Sequence, residues 1–269
     1  RTAPIPRMGT GIPHIHRIGT GPTTRRSTEG GSSSRRRRGD TGSSRVLVHS
    51  GDRGACGGYH AGMTVPCASV ALQPHDLAGL RLRNRVVRAG CFEGLSTRGE
   101  VSDRLIEHHR RVAAGGVGMT TLSYCSVSYD GRAFGHELWM RPDLLPGLRR
   151  FVDTVHAEGA AASIQLGHCG FFAAPGVIGR RPLGASPKFC LFRLSYCRAM
   201  TEADIEEKTQ DFARAAALAR EAGFDAVELH AGHGYLLSQF LSPWTNRRDD
   251  RYGGSLRNRL RFPVGVVAR

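Results

Sequence analysis

The sequence predicts an α/β fold built on a parallel sheet with helical crossovers, and three observations carry that reading. From about Leu72, short apolar runs alternate with amphipathic stretches in the order βαβαβαβα, the pattern of strands joined by crossover helices. Glycines stand where the helices should stop, at Gly115-Gly116, Gly159 and Gly223, as C-terminal caps do. Two apolar runs end abruptly in hydrogen-bonding side chains, at His168 and His230; such folds build their sites at the carboxyl ends of parallel strands.

The elements follow in order. Residues 85–89 form a first strand, and Asp103–Ala114 reads as a helix stopped by the glycine pair. Residues 117–123 are a second strand. Residues 144–158 are helical, with Leu145, Leu148, Phe151, Val152 and Val155 at helix-compatible spacings. Residues 161–166 form a third strand. The Pro-, Gly- and aromatic-bearing span 170–199 has no period and is expected to be a long functional loop. Thr201-x-x-Asp204 opens an alanine-rich helix over 205–222. Residues 224–229 are the fourth strand, and Ser255 caps a helix from Leu256. Four strands are about half of an eight-stranded barrel.

Composition narrows the function classes. The stretch 1–62 holds eleven Arg against Glu29, Asp40 and Asp52, so more than half of the formal +15 charge lies there. It is rich in Gly, Ser, Thr and Pro, repeats PRMGTGIPHI loosely as HRIGTGPTTR, and lacks the apolar surface to offset ordering. It is expected to be a disordered basic segment, or sequence upstream of a start at Met63, ahead of a domain over 63–269. An organelle-targeting leader and a nucleic-acid-binding arm are the other readings; few aromatics for stacking weigh against nucleic acid. The seven cysteines are scattered and never form Cys-x-x-Cys, so they read as reduced, in a cytoplasmic protein. No run of 18 apolar residues suggests a membrane span.

The chemistry concentrates at 224–261. His230, His233 and Tyr235 fall within six residues just where the fourth strand ends. As donors, two imidazoles can polarise a carbonyl and stabilise charge on its oxygen. The Tyr235 phenol can supply a proton to the same substrate. Local capping and core packing are the competing readings. No Cys or acidic cluster completes a metal set around His-x-x-His, so no metal is expected. Gln165 lies on the opposite side of the third strand from Ile164 and Leu166. Its amide suits an edge-on contact to a heterocycle's imide, or else satisfies buried backbone groups. Gly232-His233-Gly234 is not a dinucleotide fingerprint.

These residues sit in longer blocks: LRLRNRVVRAG at 80–90, AAGGVG at 113–118, VDTVHAEGAAASIQLGHCG at 152–170, PGVIGRRPLGASP at 175–187, and VELHAGHGYLLSQFLSP with NRRDDRYGGSLRNRLRF at 227–262. In them the chain resembles the old yellow enzyme family of FMN-dependent ene-reductases, notably its NADH:flavin oxidoreductase and 2,4-dienoyl-CoA reductase-like branch. The resemblance implies a (β/α)8 TIM barrel, truncated here to about its first four β/α units, with FMN across the mouth and NAD(P)H as reductant. The substrate would be a small-molecule unsaturated carbonyl or enoyl thioester; association into a homo-oligomer is left open. Gln165 matches the glutamine contacting the flavin ring, His230 and His233 the pair binding the substrate oxygen, and Tyr235 the proton donor. Cys91 falls where relatives carry Thr or Cys near the flavin, and the backbone of Ala89 and Gly90 would lie against it.

Departures are Phe171 in place of an Arg, Ser123 in place of a glycine near the flavin, and Pro263 inside the expected fourth crossover helix. Asn246, Arg248, Asp250, Tyr252, Gly253 and Gly254 read as a structural signature bracing a loop. The flavin phosphate site is expected after the seventh and eighth strands of such barrels, beyond Arg269. An inactive barrel fragment is therefore the alternative to an FMN-dependent oxidoreductase, and an arginine-rich nucleic-acid-binding protein a weaker one.

Overall fold

A computed structural model describes residues 69–269; the expectations for 1–62 and for a start at Met63 lie outside the described residues. Four parallel strands run in the order β4-β3-β2-β1 across one sheet. They are β1 (Val87–Arg88), β2 (Met119–Ser126), β3 (Ala161–Gly167) and β4 (Ala226–Leu229). Helices α1 (Asp103–Ala114), α2 (Leu145–Ala157) and α3 (Glu202–Ala222) connect them, and α4 (Leu236–Leu241) and α5 (Leu256–Val267) follow. Leu138–Trp139 adds a short parallel pairing to the carboxyl end of β2. No helix of the described residues is long and apolar enough to cross a membrane.

Local chemistry fixes the helix ends. The Ser102 hydroxyl accepts from the Leu105 N–H at 3.1 Å and starts α1. Thr201 and Asp204 form a reciprocal capping box at α3, and Gly223 closes it at φ +96°, a conformation that favours glycine. Ser255 caps α5, as its sequence position suggests. Pro263 lies inside α5, as its sequence position suggests, and the helix runs on to Val267. Proline forfeits one backbone bond, but Phe262, Pro263 and Val266 are buried, and that apolar burial offsets the loss.

Strand boundaries move, most in the first two strands. The first strand shrinks from 85–89 to Val87–Arg88 because Asn84 diverts the backbone: its Oδ1 accepts from Val86 N–H at 3.0 Å and its Nδ2 donates to the Gly116 carbonyl at 2.6 Å. The second runs three residues past Ser123, to Ser126. It also changes register: Leu122 pairs with Ile164 and Cys125 with Leu166, so Ser123 and Tyr124 together face Gln165. This bulge keeps Leu122 and Cys125 in the core, both fully buried, and turns two consecutive side chains toward the other face.

The core lies between the sheet and the helices. Leu148, Phe151 and Val155 of α2 and Phe212, Ala215 and Ala219 of α3 pack with Leu122, Ile164 and Leu166. The span 170–199 is not one long loop. It holds a 3-10 turn (Gly170–Phe172), a short helix (Pro175–Ile178) and a small sheet of Leu183–Gly184, Ser195–Ala199 and Lys188–Cys190. Its strands are two to five residues long, too short to show a period. The 246–254 segment braces itself. Asn246 donates to the carbonyls of Phe240 and Tyr252, both at 2.8 Å. Arg248 pairs with Asp250 and donates to the Ala185 and Met200 carbonyls.

Candidate functional site

The turn after β1 and the middle of the sheet form the first half of the site. Gly90 lies against Gln165: a Cβ at this position would stand 2.5 Å from Nε2 of that amide. Ser123 Oγ donates to Gln165 Oε1 at 2.9 Å, and Gln165 Nε2 donates to Glu228 Oε1 at 2.5 Å. Gly90, Ser123, Gln165 and Glu228 thus share one polar face, with Ala89 and Cys91 exposed on either side of Gly90. Beneath it, Glu93 accepts from the Ser123 N–H at 3.3 Å and from Arg88 at 2.7 Å. His109, fully buried, is kept neutral because desolvation pushes its pKa down.

The second half is the strand-end triplet. The His230 N–H donates to the Leu166 carbonyl at 2.8 Å, fixing the end of β4 to β3. The Gly232 N–H donates to His230 Nδ1 at 3.2 Å, so His230 carries its proton on Nε2. That Nε2 lies 3.2 Å from His233 Nδ1, which must accept, leaving the His233 proton on its own Nε2. Burial, and then the neighbouring His233, hold the His230 pKa below its ordinary value. The Tyr235 ring lies 4.6 Å from that of His230, centre to centre. Burial, followed by Cys169, pushes the Tyr235 pKa well up, so the phenol keeps its proton. Cys169 is itself pushed up to about 12 by burial and stays a thiol.

Tyr124 joins the two halves. It follows Ser123, and its ring meets those of His230 and Tyr235 edge-on at 6.1 and 5.5 Å. Its hydroxyl donates to the Gly131 carbonyl at 3.1 Å and lies 3.5 Å from Cys169 Sγ. Gly167 makes this gathering of rings feasible, since a Cβ there would stand 2.6 Å from Tyr124 and 2.9 Å from His230. Phe171, the departure noted in the sequence, packs with Cys190 and Cys197 under the small sheet.

The structure therefore brings His230, His233 and Tyr235 together, and separately Gly90, Ser123 and Gln165. Tyr124, Cys169 and Glu228 were not singled out from sequence. Glu228 carried a usable signal, a charge in an apolar strand on the same parity as His230. Tyr124 had none, because it reaches this face through the bulge. Glu93, His108 and His109 also bring potential ligand atoms within 4.8 Å of one another, although Glu93 is already engaged by Arg88 and His109.

A polar amide beside a turn glycine fits the edge of a flat, hydrogen-bonding heterocycle such as a flavin ring. Comparisons with known proteins identify the family. The model of the NADH:flavin oxidoreductase / NADH oxidase family matches residues 72–269. A 4,4'-dithiodibutanoate disulfide reductase of Rhodococcus erythropolis is 46% identical over 204 residues, covering 76% of this chain and 50% of that protein. Among solved structures, 2-naphthoyl-CoA reductase with 2-naphthoyl-CoA superposes with a TM-score of 0.70 at 31% identity, covering 74% of this chain and 32% of the other. Morphinone reductase gives 0.67 at 31% identity, covering 74% and 57%. The chain thus spans about half the length of that disulfide reductase. With the family model covering nearly all the described residues, the chain belongs to the NADH:flavin oxidoreductase / NADH oxidase family, the old yellow enzyme family of α/β proteins.

Proposed function

We propose that the chain carries the ring-side cofactor contacts and the substrate-handling residues of an FMN-dependent oxidoreductase that uses NAD(P)H to reduce alkenes conjugated to a carbonyl or thioester. Gly90, Ser123 and Gln165, flanked by Ala89 and Cys91, would hold the flavin ring. When bound, FMN would supply the two-electron hydride chemistry that links NAD(P)H to the alkene. The chain's own residues do the rest. His233 offers its Nε2–H to the carbonyl oxygen, and His230 holds the His233 ring in that orientation. Negative charge gathering on the oxygen is stabilised by that donor. The Tyr235 O–H breaks as a C–H bond forms at the α-carbon, and the phenolate recovers its proton from water.

The observation that carries this reading is a protonated, half-buried phenol whose ring lies 4.6 Å from that of His230, in a histidine pair whose hydrogen bonds leave one N–H free. Stopped-flow measurement of the two half-reactions tests it. Tyr235→Phe should slow alkene reduction by roughly 10²-fold or more while NADH reduces the flavin at the native rate. Equal loss in both half-reactions would sink the proton-donor role.

A further inference from the structure

We infer that Arg193 is an anchor for a carboxylate carried by the substrate, at the end remote from the reacting alkene, with the substrate's apolar body lying on the Phe92–Phe134 ring pair. This deepens the alkene-reduction reading and rests on it.

Arg193 occupies the turn between Lys188–Cys190 and Ser195–Ala199 of the small sheet. Its guanidinium lies 4.8 Å from the ring centre of Phe192 in the same turn and reaches toward both arms of the site. Nε donates to the Phe172 carbonyl at 3.0 Å and Nη2 to the Ala133 carbonyl at 2.8 Å. The Phe172 ring in turn lies 6.3 Å from that of Tyr235. On the other arm, the guanidinium carbon stands 5.1 Å from the Phe134 ring centre. Phe134 stacks on Phe92 at 5.7 Å, and Phe92 directly follows the turn at Ala89–Cys91. Two bonds and two ring contacts hold the head group in place, so little side-chain entropy remains to be lost on binding.

The charge is not spent inside the protein. Among the described residues its hydrogen bonds go to uncharged carbonyl oxygens, and Nη1 is left for a ligand. The acid that feels it is Glu137, which is buried and commits Oε2 to the Ala133 and Phe134 N–H groups. Burial holds Glu137 up at about 7, so it neutralises Arg193 only in part. The positive field reaches the phenol of Tyr235 as well. A half-buried guanidinium fixed by neutral partners is expensive unless an anion completes it.

The apolar surroundings set the class of ligand. Phe92 and Phe134 are 41% and 38% exposed, and Leu191, Phe192 and Leu194 in the same turn exceed 70%. A stacked ring pair takes a planar apolar body, and the N–H groups left on the guanidinium match a planar carboxylate.

The test is calorimetric titration of the full chain with 4-carboxycinnamaldehyde and with the uncharged 4-carbamoylcinnamaldehyde. The carboxylate should bind about tenfold tighter, equivalent to ~1.4 kcal/mol. Arg193→Gln should remove that advantage without weakening the carbamoyl compound, and Arg193→Lys should retain part of it. Equal affinity for the two compounds, an advantage unchanged in Arg193→Gln, a parallel loss of both in that variant, or no binding of either would each overturn the anchor. FMN-loaded protein that reduces both aldehydes with equal efficiency would leave the reductase reading standing and end this one.

Discussion

The two faces of the one parallel sheet are built from adjacent residues yet obey opposite rules. On the helix side, Leu122, Ile164 and Leu166 are fully buried and packed with Leu148, Phe151 and Val155. On the other side stand Ser123, Gln165 and Glu228, linked by two hydrogen bonds, with His230 and Tyr235 beyond the strand ends. Stability is concentrated on the first face and chemistry on the second, so the two should respond independently to substitution.

The sharpest way to break that separation is to strike the core. Phe151→Ala, at a fully buried ring touching His109 and Phe224, should cost about 3–5 kcal/mol, measured by urea unfolding. A loss of less than about 1 kcal/mol would mean that this layer is not the stabilising one. On the site face, His233→Ala should lower alkene-reduction efficiency by roughly 10²-fold with the unfolding midpoint unmoved. A shift in stability as large as that of Phe151→Ala would merge the two faces into one.

Gly90→Ala gives a smaller effect at their border. The added methyl would stand 2.5 Å from the Gln165 amide and displace it, which should weaken FMN binding about tenfold in a fluorescence titration. Unchanged affinity would remove Gln165 from the cofactor contacts.

The smallest expected effect lies behind the site, at Glu137, whose pKa rises from 4.5 to about 7 through burial. A folded-state pKa above the unfolded one means that the native protein holds the proton longer. The group's contribution to stability is therefore full below pH 4.5 and is lost as pH rises toward 7. Glu137→Gln should flatten that slope and raise stability at pH 8 by on the order of 1 kcal/mol. A slope that persists in the variant would assign it elsewhere.

Much of this separation was legible in the sequence, for identifiable reasons. Alternation around Ile164-Gln165-Leu166 fixed both faces of β3, and the Thr201–Asp204 and Ser255 caps located two helices. The triplet was visible because His, His and Tyr within six residues at a strand end are uncommon in an apolar context. What stayed hidden depends on contacts distant in sequence. The bulge that turns Tyr124 toward His230 shows only in the β2–β3 register. The strands of the small sheet are shorter than any detectable period. Arg193 looked like one surface arginine among many, and its meaning comes from Phe172 and Ala133, more than twenty residues away. Pro263 was legible as a costly residue inside the last helix, but the burial of Phe262, Pro263 and Val266 that offsets the cost shows only in the structure.

The division of the sheet is tested most directly by Gln165→Leu, the substitution that makes the site face resemble the core face while keeping side-chain size. FMN titration and urea unfolding would be measured on the same preparations. The expected result is a roughly tenfold or greater loss of FMN affinity with an unfolding midpoint equal to or above the native one. Native-like FMN binding in Gln165→Leu, or unfolding as severe as that of Phe151→Ala, would contradict the account.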